Sequence, residues 1–553
     1  GDLSATVEAY LALRLAGCDA SDPALLAAAA WVRANGGAER TRVFTRIWLA
    51  MVGCWDWEDL PVLPPEIMFL PPSAPLNIYD FGCWARQTIV ALTVVMAHRP
   101  ARPLPFSIDE LRTVPTEPLP ASVRTRAGRF VLLDRLLHRY ERLPAWFLPR
   151  RALRSVALRL AEEWIIRRQE ADGCWGGIQP PLVYSLIALH LQGYGVDHPV
   201  MAAALAGMDG FVIDDYRGRR IEACQSPVWD TALAVVALTD AGVAGDDRAV
   251  ATAARWLLDQ EVTVAGDWAV RRPQLAPGGW AFEFANVNYP DIDDVAEVVL
   301  ALRRARVGGR DGAIDRGVAW TLGMQCRGGG WGAFDVDNDS ELCAALPFCD
   351  FGQVTDPPSA DVTAHVVEML AAEPGTPRGS LDRAVTWLSG QQETDGSWFG
   401  RWGINYVSGT GAAVPAFIAA GVGPADARIR RAVSWLEAKQ NDDGGWGEDA
   451  SSYVDDSWRG RGTSTASQTG WALLALLAAG ERDSDATCRG IRFLAATQRD
   501  DGSWDELWFT GTGFPWDFTI NYHLYRQVFP LMALGRYLQP PAGAGAADTG
   551  STA

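Results

Sequence analysis

The chain has 553 residues, of which 48% are hydrophobic and 24 are Trp, so it can bury large cores and is expected to form two domains. Its net charge of −18 argues against a basic footprint, so no nucleic-acid partner is expected. The 9 Cys are scattered and odd in number, without metal-ligand spacing, which favours a reducing, cytoplasmic setting.

No signal peptide opens the given sequence, and no uninterrupted apolar run of about 20 residues along it could span a bilayer. Because the chain begins at Gly1 in the middle of a pattern, we expect a fragment or a trimmed form whose N-terminal domain is incomplete.

A basic amphipathic stretch runs from Arg124 to Arg159, with ten Arg against only Asp134 and Glu141. Apolar and aromatic residues are interleaved with the Arg, among them Trp146, Phe147 and Leu148. Such a stretch suits an anionic membrane surface, and it equally suits a solvated helix packed on the body of the protein. Taken alone, the sequence leaves both interpretations open.

A repeated frame follows along the chain: an aromatic residue, Gln five positions later, Gly four beyond that, and Trp two further on. The copies begin at Trp164, Trp320, Trp387, Trp435 and Phe493, with a looser copy at Trp256 and a decayed one at Trp31. Each starts on an amphipathic run, such as residues 431–440, and ends in a Gly-rich turn that a helix cannot cross. The Gln amide can therefore bond free carbonyls at helix ends while the second Trp covers it, which predicts a staple between outer helices.

More uniformly apolar segments alternate with the copies, as expected for buried inner helices. They cover residues 185–195, 230–242, 294–305, 361–375, 409–423 and 467–480. Alternating inner and outer helices predict an all-α fold of two α/α toroid domains, each with a central cavity. We expect these domains at 1–220 and 221–540, followed by a disordered tail at 541–553.

The sharpest chemical signal is the run Asp291-Ile292-Asp293-Asp294, which we call the DIDD motif, at the start of an inner helix. Three carboxyl groups so close together cannot all ionise cheaply in a buried cavity, so at least one should keep its proton near neutral pH. The motif therefore predicts a Brønsted acid. The alternative is an ordinary cluster of N-capping Asp residues.

No metal or cofactor is expected from the motifs. Asp293, Asp294 and Glu297 share the spacing of a metal-diphosphate motif, but no second acidic motif or basic diphosphate clamp accompanies them. The segment from Asp335 to Ser340 opens like a calcium loop, yet Ser340 stands where Gly is needed, so a turn is predicted.

Several of these features together resemble a known family. The repeats resemble the QW motifs of triterpene cyclases, the DIDD motif resembles their DxDD acid motif, and long stretches resemble the squalene–hopene cyclase family in particular. These stretches include PPEIMFL, PLNIYDFG, GGIQPP, SPVWDT, GDWAVRRP, PFCDFGQVTDPPSADVTAHV, GSWFGRWGINY and QNDDGGWGED. The resemblance reaches to about Leu538, and the intact motif favours protonation of an alkene.

The resemblance implies an isomerase that cyclises squalene to hopene, with hydro-lyase activity for hopanol, in hopanoid biosynthesis. It implies that Asp293 donates the proton and that Asp291 and Asp294 hold and polarise the Asp293 carboxyl group. The remaining members of the implied acid network are His365, Asp361 and Tyr289.

Aromatic faces stabilise a travelling carbocation without attacking it. By resemblance, the candidates for this task are Trp84, Trp229, Trp280, Phe282, Phe334, Phe348, Phe351, Trp402 and Phe518. The water that ends the reaction is implied to be oriented by Gln179, Pro180, Glu8 and Arg42.

The chain departs from the family pattern at Val295 (usually Thr), Glu283 (usually Gln), Ser408 (usually aromatic) and Trp516 (usually Gly). The resemblance further implies monotopic attachment to the cytoplasmic face of the cell membrane and allows a homodimer. We expect Trp146, Phe147 and Leu148 to insert, with Arg150 and Arg151 at the headgroups. Two alternatives remain open: a related cyclase for another polyprene, and a non-catalytic toroid that binds a lipid or a partner protein.

Overall fold

The structure is a computed structural model, and it describes residues 1–113, 126–143, 148–216, 218–346, 348–350, 352–514 and 516–539. The predicted all-α class is confirmed, since helices dominate these residues and strands are few. The tail at 541–553, Phe351, Trp146 and Phe147 lie outside the described residues, as do the side chains of Arg129 and Leu148.

The helices, in chain order, begin with α1 (Leu3–Leu15), α2 (Pro23–Ala34), α3 (Val43–Met51), α4 (Cys83–His98), α5 (Arg126–Glu141), α6 (Leu148–Arg167), α7 (Gln179–Leu191), α8 (Pro199–Gly210), α9 (Pro227–Asp240) and α10 (Arg248–Asp259). They continue with α11 (Ile292–Arg304), α12 (Arg310–Gly323), α13 (Glu341–Ala344), α14 (Ala360–Ala372), α15 (Arg378–Gly390), α16 (Tyr406–Ala419), α17 (Ala427–Lys439), α18 (Ala466–Ala478), α19 (Asp485–Thr497) and α20 (Tyr525–Leu538). Two antiparallel hairpins pair β1 (Val212–Asp215) with β2 (Gly218–Ile221) and β3 (Gly511–Phe514) with β4 (Phe518–Ile520).

The chain divides into two compact units. The first unit comprises Gly1–Gln169, Gln179–Met208 and Ser340–Thr355, and the second comprises Glu170–Ile178, Asp209–Asp339 and Asp356–Ala553. The predicted domains, 1–220 and 221–540, stay a prediction.

The first unit is built around α4, whose residues from Cys83 to Met96 are all buried. Helices α6 and α7 pack against it. The buried guanidinium of Arg86 donates to the backbone carbonyls of Ile78 and Phe81, at 3.1 and 2.9 Å, which satisfies its polar groups inside the core.

The second unit contains a closed ring of six inner helices. Helices α9, α11, α14, α16, α18 and α20 each contact the next in this order, and α20 returns to α9. We call the contact between α20 and α9, which closes the ring, the seam. There, Nε of Arg536 on α20 lies 2.7 Å from Oδ2 of Asp240 at the end of α9. Outer helices α10, α12, α15, α17 and α19 pack on the ring, so this unit is an α/α toroid with an enclosed interior.

The repeats form the predicted staples. Nε2 of Gln440 donates to the carbonyl of Gly444 in its own turn, at 2.7 Å, and to that of Ala486 at the start of the next outer helix, at 2.8 Å. Gln325 and Gln392 make the same pair of bonds in their own copies. The indole N–H of the second Trp adds a bond that the sequence did not predict, because Trp446 donates to the carbonyl of Leu436 at 2.8 Å.

The basic stretch is described in part. Arg150 is half-buried and pairs with Glu141 at 2.8 Å, so its guanidinium is already bound within the unit, whereas Arg151 is exposed. Leu132 and Leu136 on α5, and Leu153 and Val156 on α6, are exposed apolar side chains on the same two helices. Among the described residues, no helix has both the length and the hydropathy needed to cross a bilayer.

Candidate active site

The DIDD motif opens α11, and its first carboxyl group caps that helix. Oδ1 of Asp291 accepts the N–H of Asp293 at 2.8 Å and of Asp294 at 3.4 Å, while its own N–H donates to the carbonyl of Trp280 at 2.7 Å. The N-cap interpretation of the motif is therefore correct for Asp291, and this capping fixes the direction in which the next two carboxyl groups point.

Asp294 is fully buried, and neither of its carboxyl oxygens has a hydrogen-bond partner among the described residues. A buried carboxylate without a donor is strongly disfavoured, so Asp294 holds a proton. Burial, together with the charges of the neighbouring acids, raises the pKa of both Asp291 and Asp294 well above the ordinary value of Asp.

Within the described part of the chain, Asp293 is the residue of the motif that contacts a basic group. Its Oδ1 lies 2.6 Å from Nδ1 of His365 on α14. Burial by itself disfavours the imidazolium, but the charge and hydrogen bond of Asp293 outweigh it and raise the pKa of His365 to about 10. While Asp293 is ionised, His365 is therefore protonated near neutral pH, and its imidazolium stabilises the negative charge on Asp293.

A cavity lies inside the ring of the second unit, with Asp293 and His365 in its wall. All six inner helices contribute to the lining, which is largely apolar and aromatic. The aromatic lining residues are Trp229, Trp402, Trp471, Tyr525 and Phe529. The wall also carries the charged side chains of Arg304, Glu368 and Arg536. An aromatic pocket with polar groups at defined positions is typical of a ligand site.

The cavity brings together only part of the predicted aromatic set. Trp229 and Trp402 line it, and the rings of Phe334 and Trp402 meet edge to face at 6.2 Å. Phe282 meets Tyr522 edge to face at 6.5 Å. Phe518 lies half-buried on β4.

Trp280 lies in the core instead of this wall. Its ring is completely buried, its N–H donates to the carbonyl of Leu257 on α10 at 2.6 Å, and the ring lies against Gly317 of α12, so Trp280 packs between these two outer helices.

Other predicted residues belong to the first unit. Trp84 donates its indole N–H to the carbonyl of Gln353 at 3.1 Å, and Phe348 packs on Phe81 with ring centroids 6.3 Å apart. Among the predicted water-binding residues, Glu8 accepts the hydroxyl of Thr45 at 2.6 Å and Arg42 pairs with Asp2 at 2.7 Å. Gln179 and Pro180 form the first turn of α7.

Asp361 and Tyr289 have partners outside the DIDD motif. Oδ2 of Asp361 accepts the backbone N–H groups of Arg401 and Trp402, both at 2.8 Å, so it fixes the backbone that carries the Trp402 ring. Asp361 also adds to the electrostatic stabilisation of the His365 cation. The hydroxyl of Tyr289 donates to Asp267 at 2.8 Å.

Several site residues were missed at the level of sequence. Trp471, Tyr525 and Phe529 line the cavity from α18 and α20, and the indole N–H of Trp229 donates to the hydroxyl of Tyr525 at 3.0 Å. Glu297 lines it one helical turn after Asp293, and burial raises its pKa to about 7. The i, i+4 spacing from Asp293 was the available signal for Glu297.

No group of three His, Cys, Asp or Glu side chains suited to a metal ion occurs within the described part of the chain. The segment resembling a calcium loop is a turn in which Oδ1 of Asp337 accepts the N–H of Arg327 at 2.8 Å.

Comparison with known proteins agrees with the family resemblance of the sequence. Residues 1–217 match the squalene-hopene cyclase N-terminal domain, and residues 225–539 match the squalene-hopene cyclase C-terminal domain. A squalene–hopene cyclase of Alicyclobacillus acidocaldarius is 51% identical over 97% of this chain and 86% of its own length.

Two further relatives show the breadth of the likeness. A squalene–hopene cyclase of Bradyrhizobium diazoefficiens is 43% identical over 97% of this chain and 83% of its own length. A dammaradiene synthase of Dryopteris crassirhizoma is 40% identical over 97% of this chain and 82% of its own length. The chain belongs to the squalene-hopene cyclase family of class II triterpene cyclases.

Proposed function

We propose that this protein cyclises squalene to hopene, with hopanol as the hydrated product, by protonating a terminal double bond. The observation that carries the proposal is the Asp293–His365 pair, with its 2.6 Å contact, in the wall of an aromatic cavity. The identity of the substrate, squalene, is inferred from the relatives named squalene–hopene cyclase.

Asp293 is the proton donor in this proposal. An alkene is a very weak base, so the donor must be strong and shielded from water. As the O–H bond of Asp293 breaks, a C–H bond forms at the terminal carbon and a tertiary carbocation appears at its neighbour. The imidazolium of His365 stabilises the carboxylate left behind, and this is what strengthens the acid.

The cavity wall then stabilises the positive charge. Trp229 and Trp402 present aromatic rings to the interior, and ring faces attract cations without forming a bond to them. Asp361 holds the backbone of Trp402 and so positions this ring. Water finally removes a proton to give hopene or adds as hydroxide to give hopanol, and Gln179, Pro180, Glu8 and Arg42 are proposed to orient it.

Each turnover leaves Asp293 without its proton, so the site needs a route for its return. Glu297 lies one turn along α11 in the same cavity wall and has a pKa raised to about 7 by burial. A carboxyl group of this kind exchanges protons readily near neutral pH, so we assign it to the return route.

The test is incubation of detergent-solubilised protein with squalene, followed by mass spectrometry of the neutral lipids. The wild type should release pentacyclic products, and Asp293→Asn should lower turnover at least about 10³-fold while keeping the circular dichroism spectrum. Incubation with shorter polyprenes distinguishes a related cyclase. Substantial turnover by Asp293→Asn would contradict the acid assignment, and absence of any cyclised product from the wild type would favour the non-catalytic alternative.

We also propose that the protein attaches to the cytoplasmic face of the cell membrane through the first unit. Squalene is almost insoluble in water, so delivery from a lipid phase is the efficient route. Exposed Leu132, Leu136, Leu153 and Val156 support this proposal, together with exposed Arg on the same helices. Exposed basic and apolar side chains on the same helix suit an anionic bilayer.

A further inference from the structure

Residues 331–335, which we call the bridge segment, are bonded to the first turns of both helices that carry the proposed acid pair, α11 and α14. The carbonyl of Ala333 accepts the N–H of Ile292, in the middle of the DIDD motif, at 2.7 Å. The carbonyl of Trp331 accepts the N–H of Ser359, the N-cap residue of α14, at 3.0 Å. The bridge segment therefore ties the start of α11 to the start of α14.

Trp331 makes two further bonds that fix the bridge segment. Its backbone N–H donates to Oγ1 of Thr363 on α14 at 3.0 Å, and Thr363 lies two positions before His365. Its indole N–H donates to the carbonyl of Thr321, near the end of α12, at 2.8 Å. Trp331 is the second Trp of the repeat copy that begins at Trp320, so this staple anchors the bridge segment to an outer helix.

The carboxylate of Asp356 binds the backbone of the bridge segment from the side of α14. Its Oδ1 accepts the N–H of Ala333 at 3.1 Å, and its Oδ2 accepts those of Phe334 at 2.7 Å and Asp335 at 2.8 Å. Asp356 is completely buried and lies in the segment that leads into α14. Hydrogen bonds to a carboxylate are about twice as strong as neutral ones, so this side chain holds the bridge segment firmly against α14.

Asp356 also fixes the backbone that carries an aromatic ring of the predicted set. The ring of Phe334 meets that of Trp402, which lines the cavity, edge to face at 6.2 Å. Asp361 holds the backbone of Trp402, whereas Asp356 holds the backbone of Phe334. Two carboxylates from the start of α14 therefore fix the backbones behind one ring contact.

We propose that Asp356 is a positioning residue, which sets the geometry of the Asp293–His365 pair through the bridge segment. This inference rests on the proposed cyclase function. The 2.6 Å contact of the pair joins α11 to α14, and a displacement of about 1 Å at a reacting group can lower a rate about 10²-fold. Asp356 is not among the described residues that line the cavity, so it acts on the reaction through the backbone it binds.

The first experiment measures kcat and KM for squalene in Asp356→Asn. The amide keeps the shape of the carboxyl group, but its NH2 group faces backbone N–H donors and cannot accept their hydrogen bonds. The kcat should fall about 10²-fold, whereas KM should stay within about twofold, because the wall that binds the substrate keeps its side chains. A wild-type kcat in this variant would contradict the proposal.

Gly332→Ala separates the position of the Asp356 carboxylate from its charge. A Cβ atom on Gly332 would lie 2.6 Å from the carbonyl oxygen of Asp356 and 2.9 Å from its Oδ2, so it would push Asp356 away from the bridge segment. The charge remains, and kcat should still fall. A normal kcat in Gly332→Ala beside a low kcat in Asp356→Asn would show that charge alone matters, which would refute positioning.

Asp443→Asn is the matched control for a general loss of stability. Asp443 accepts the N–H of Gly445 at 2.9 Å and the hydroxyl of Ser464 at 2.7 Å, in the turn of the copy that begins at Trp435. This variant should lower Tm and keep the wild-type kcat. If it lowers kcat as far as Asp356→Asn does, destabilisation explains both results and the positioning role is excluded.

A second measurement, independent of turnover, follows the imidazole of His365 by NMR in protein labelled with ¹³C-histidine, with His365→Gln to assign the signal. The charge and hydrogen bond of Asp293 raise the pKa of His365 to about 10. A loosened pair should lower this pKa by at least about one pH unit, toward the ordinary value of about 6.5, in both Asp356→Asn and Gly332→Ala.

The NMR result also separates this inference from the proposed function. An unchanged titration of His365 in both variants would overturn the role of Asp356, whatever the turnover. If the variants shift the titration as expected but the wild type forms no cyclised product, the positioning of the pair stands and only the proposed function is refuted.

Discussion

Three neighbouring carboxyl groups in the DIDD motif have three different environments. Asp291 caps a helix, Asp293 pairs with His365, and Asp294 is buried without a hydrogen-bond partner among the described residues. The sequence alone predicted that at least one of them keeps a proton, because crowding in a cavity requires it. It could not assign the separate environments from spacing, since the partner of Asp293 lies on α14, 72 positions further along the chain.

Removing His365 should weaken the acid and change the pH dependence of stability. We expect His365→Gln to lower kcat about 10²-fold or more, because the carboxylate formed at Asp293 loses its cation. The folded-state pKa of His365 is raised to about 10, so its stabilising contribution is full below about pH 6.5 and is lost as the pH rises to about 10.

Thermal unfolding across that window checks this expectation. The Tm of the wild type should fall more than that of His365→Gln between about pH 6.5 and about pH 10. His138→Gln is the control, since His138 lies in the first unit and bonds the carbonyls of Asp134 and Glu58. A wild-type kcat in His365→Gln would contradict the assigned role.

Shortening an aromatic wall residue should change products more than it changes the fold. Trp402→Ala removes a ring that lines the cavity, so a carbocation beside it loses its stabilisation and should deprotonate early. We expect partly cyclised hydrocarbons in the lipid extract, identified by mass spectrometry. Trp508→Ala, at an exposed position, is the control. A normal product at a normal rate from Trp402→Ala would place the ring outside the reaction path.

The position of Trp280 shows that a local motif does not predict which way an aromatic ring faces. Trp280 and Trp402 both follow Gly-containing segments and were both predicted to face the cavity, but only Trp402 lines it. The indole N–H of Trp280 instead reaches the carbonyl of Leu257. Which ring faces the interior depends on the rotation of each segment against its neighbours, and residue type does not encode that rotation.

At the scale of elements, periodicity predicted the ring helices well except for one. Five predicted inner segments correspond to α9, α11, α14, α16 and α18, because each is apolar around most of its circumference. Helix α20, which closes the ring, was missed. Pro530 lies inside it, and by local rules a proline interrupts a helix.

The staples differ in their number of hydrogen bonds, so mutating them tests how much each bond contributes to stability. Gln440 donates two hydrogen bonds to backbone carbonyls, whereas Gln498, in the last copy, makes one described bond and is exposed. Gln440→Ala should lower the free energy of unfolding by about 2 kcal/mol, and Gln498→Ala by about 0.5 kcal/mol. Urea denaturation of both variants measures the difference. Equal losses would mean that the cross-helix bond contributes nothing.

At the scale of the whole molecule, the proposed attachment to a membrane is assigned to the exposed apolar side chains of α5 and α6. Changing Leu132, Leu136, Leu153 and Val156 to Ser should reduce co-sedimentation with anionic liposomes at least about tenfold, because these side chains are expected to enter the acyl boundary. Exposed Arg151 should contribute about 1 kcal/mol to the free energy of binding to anionic liposomes. Because salt screens this attraction, Arg151→Gln should weaken binding only at low salt.

A matched variant separates this surface from other exposed apolar residues. Leu507, Trp508 and Phe509 form an exposed apolar run in the second unit. Changing these three to Ser should leave liposome binding unchanged. If this variant loses binding and the α5 and α6 variant does not, attachment occurs through the second unit.

The seam between α20 and α9 determines when the ring can close during synthesis of the chain. Arg536 and Asp240, which meet there, are 296 positions apart, and Arg536 belongs to the last helix of the described chain. Chains emerge from the ribosome N-terminus first. A nascent chain that has released α11 and α14 already carries Asp293 and His365, yet it lacks the Tyr525 and Phe529 side of the wall. During translation the acid therefore exists before its shielded chamber does, and water has access to it until the final helix docks.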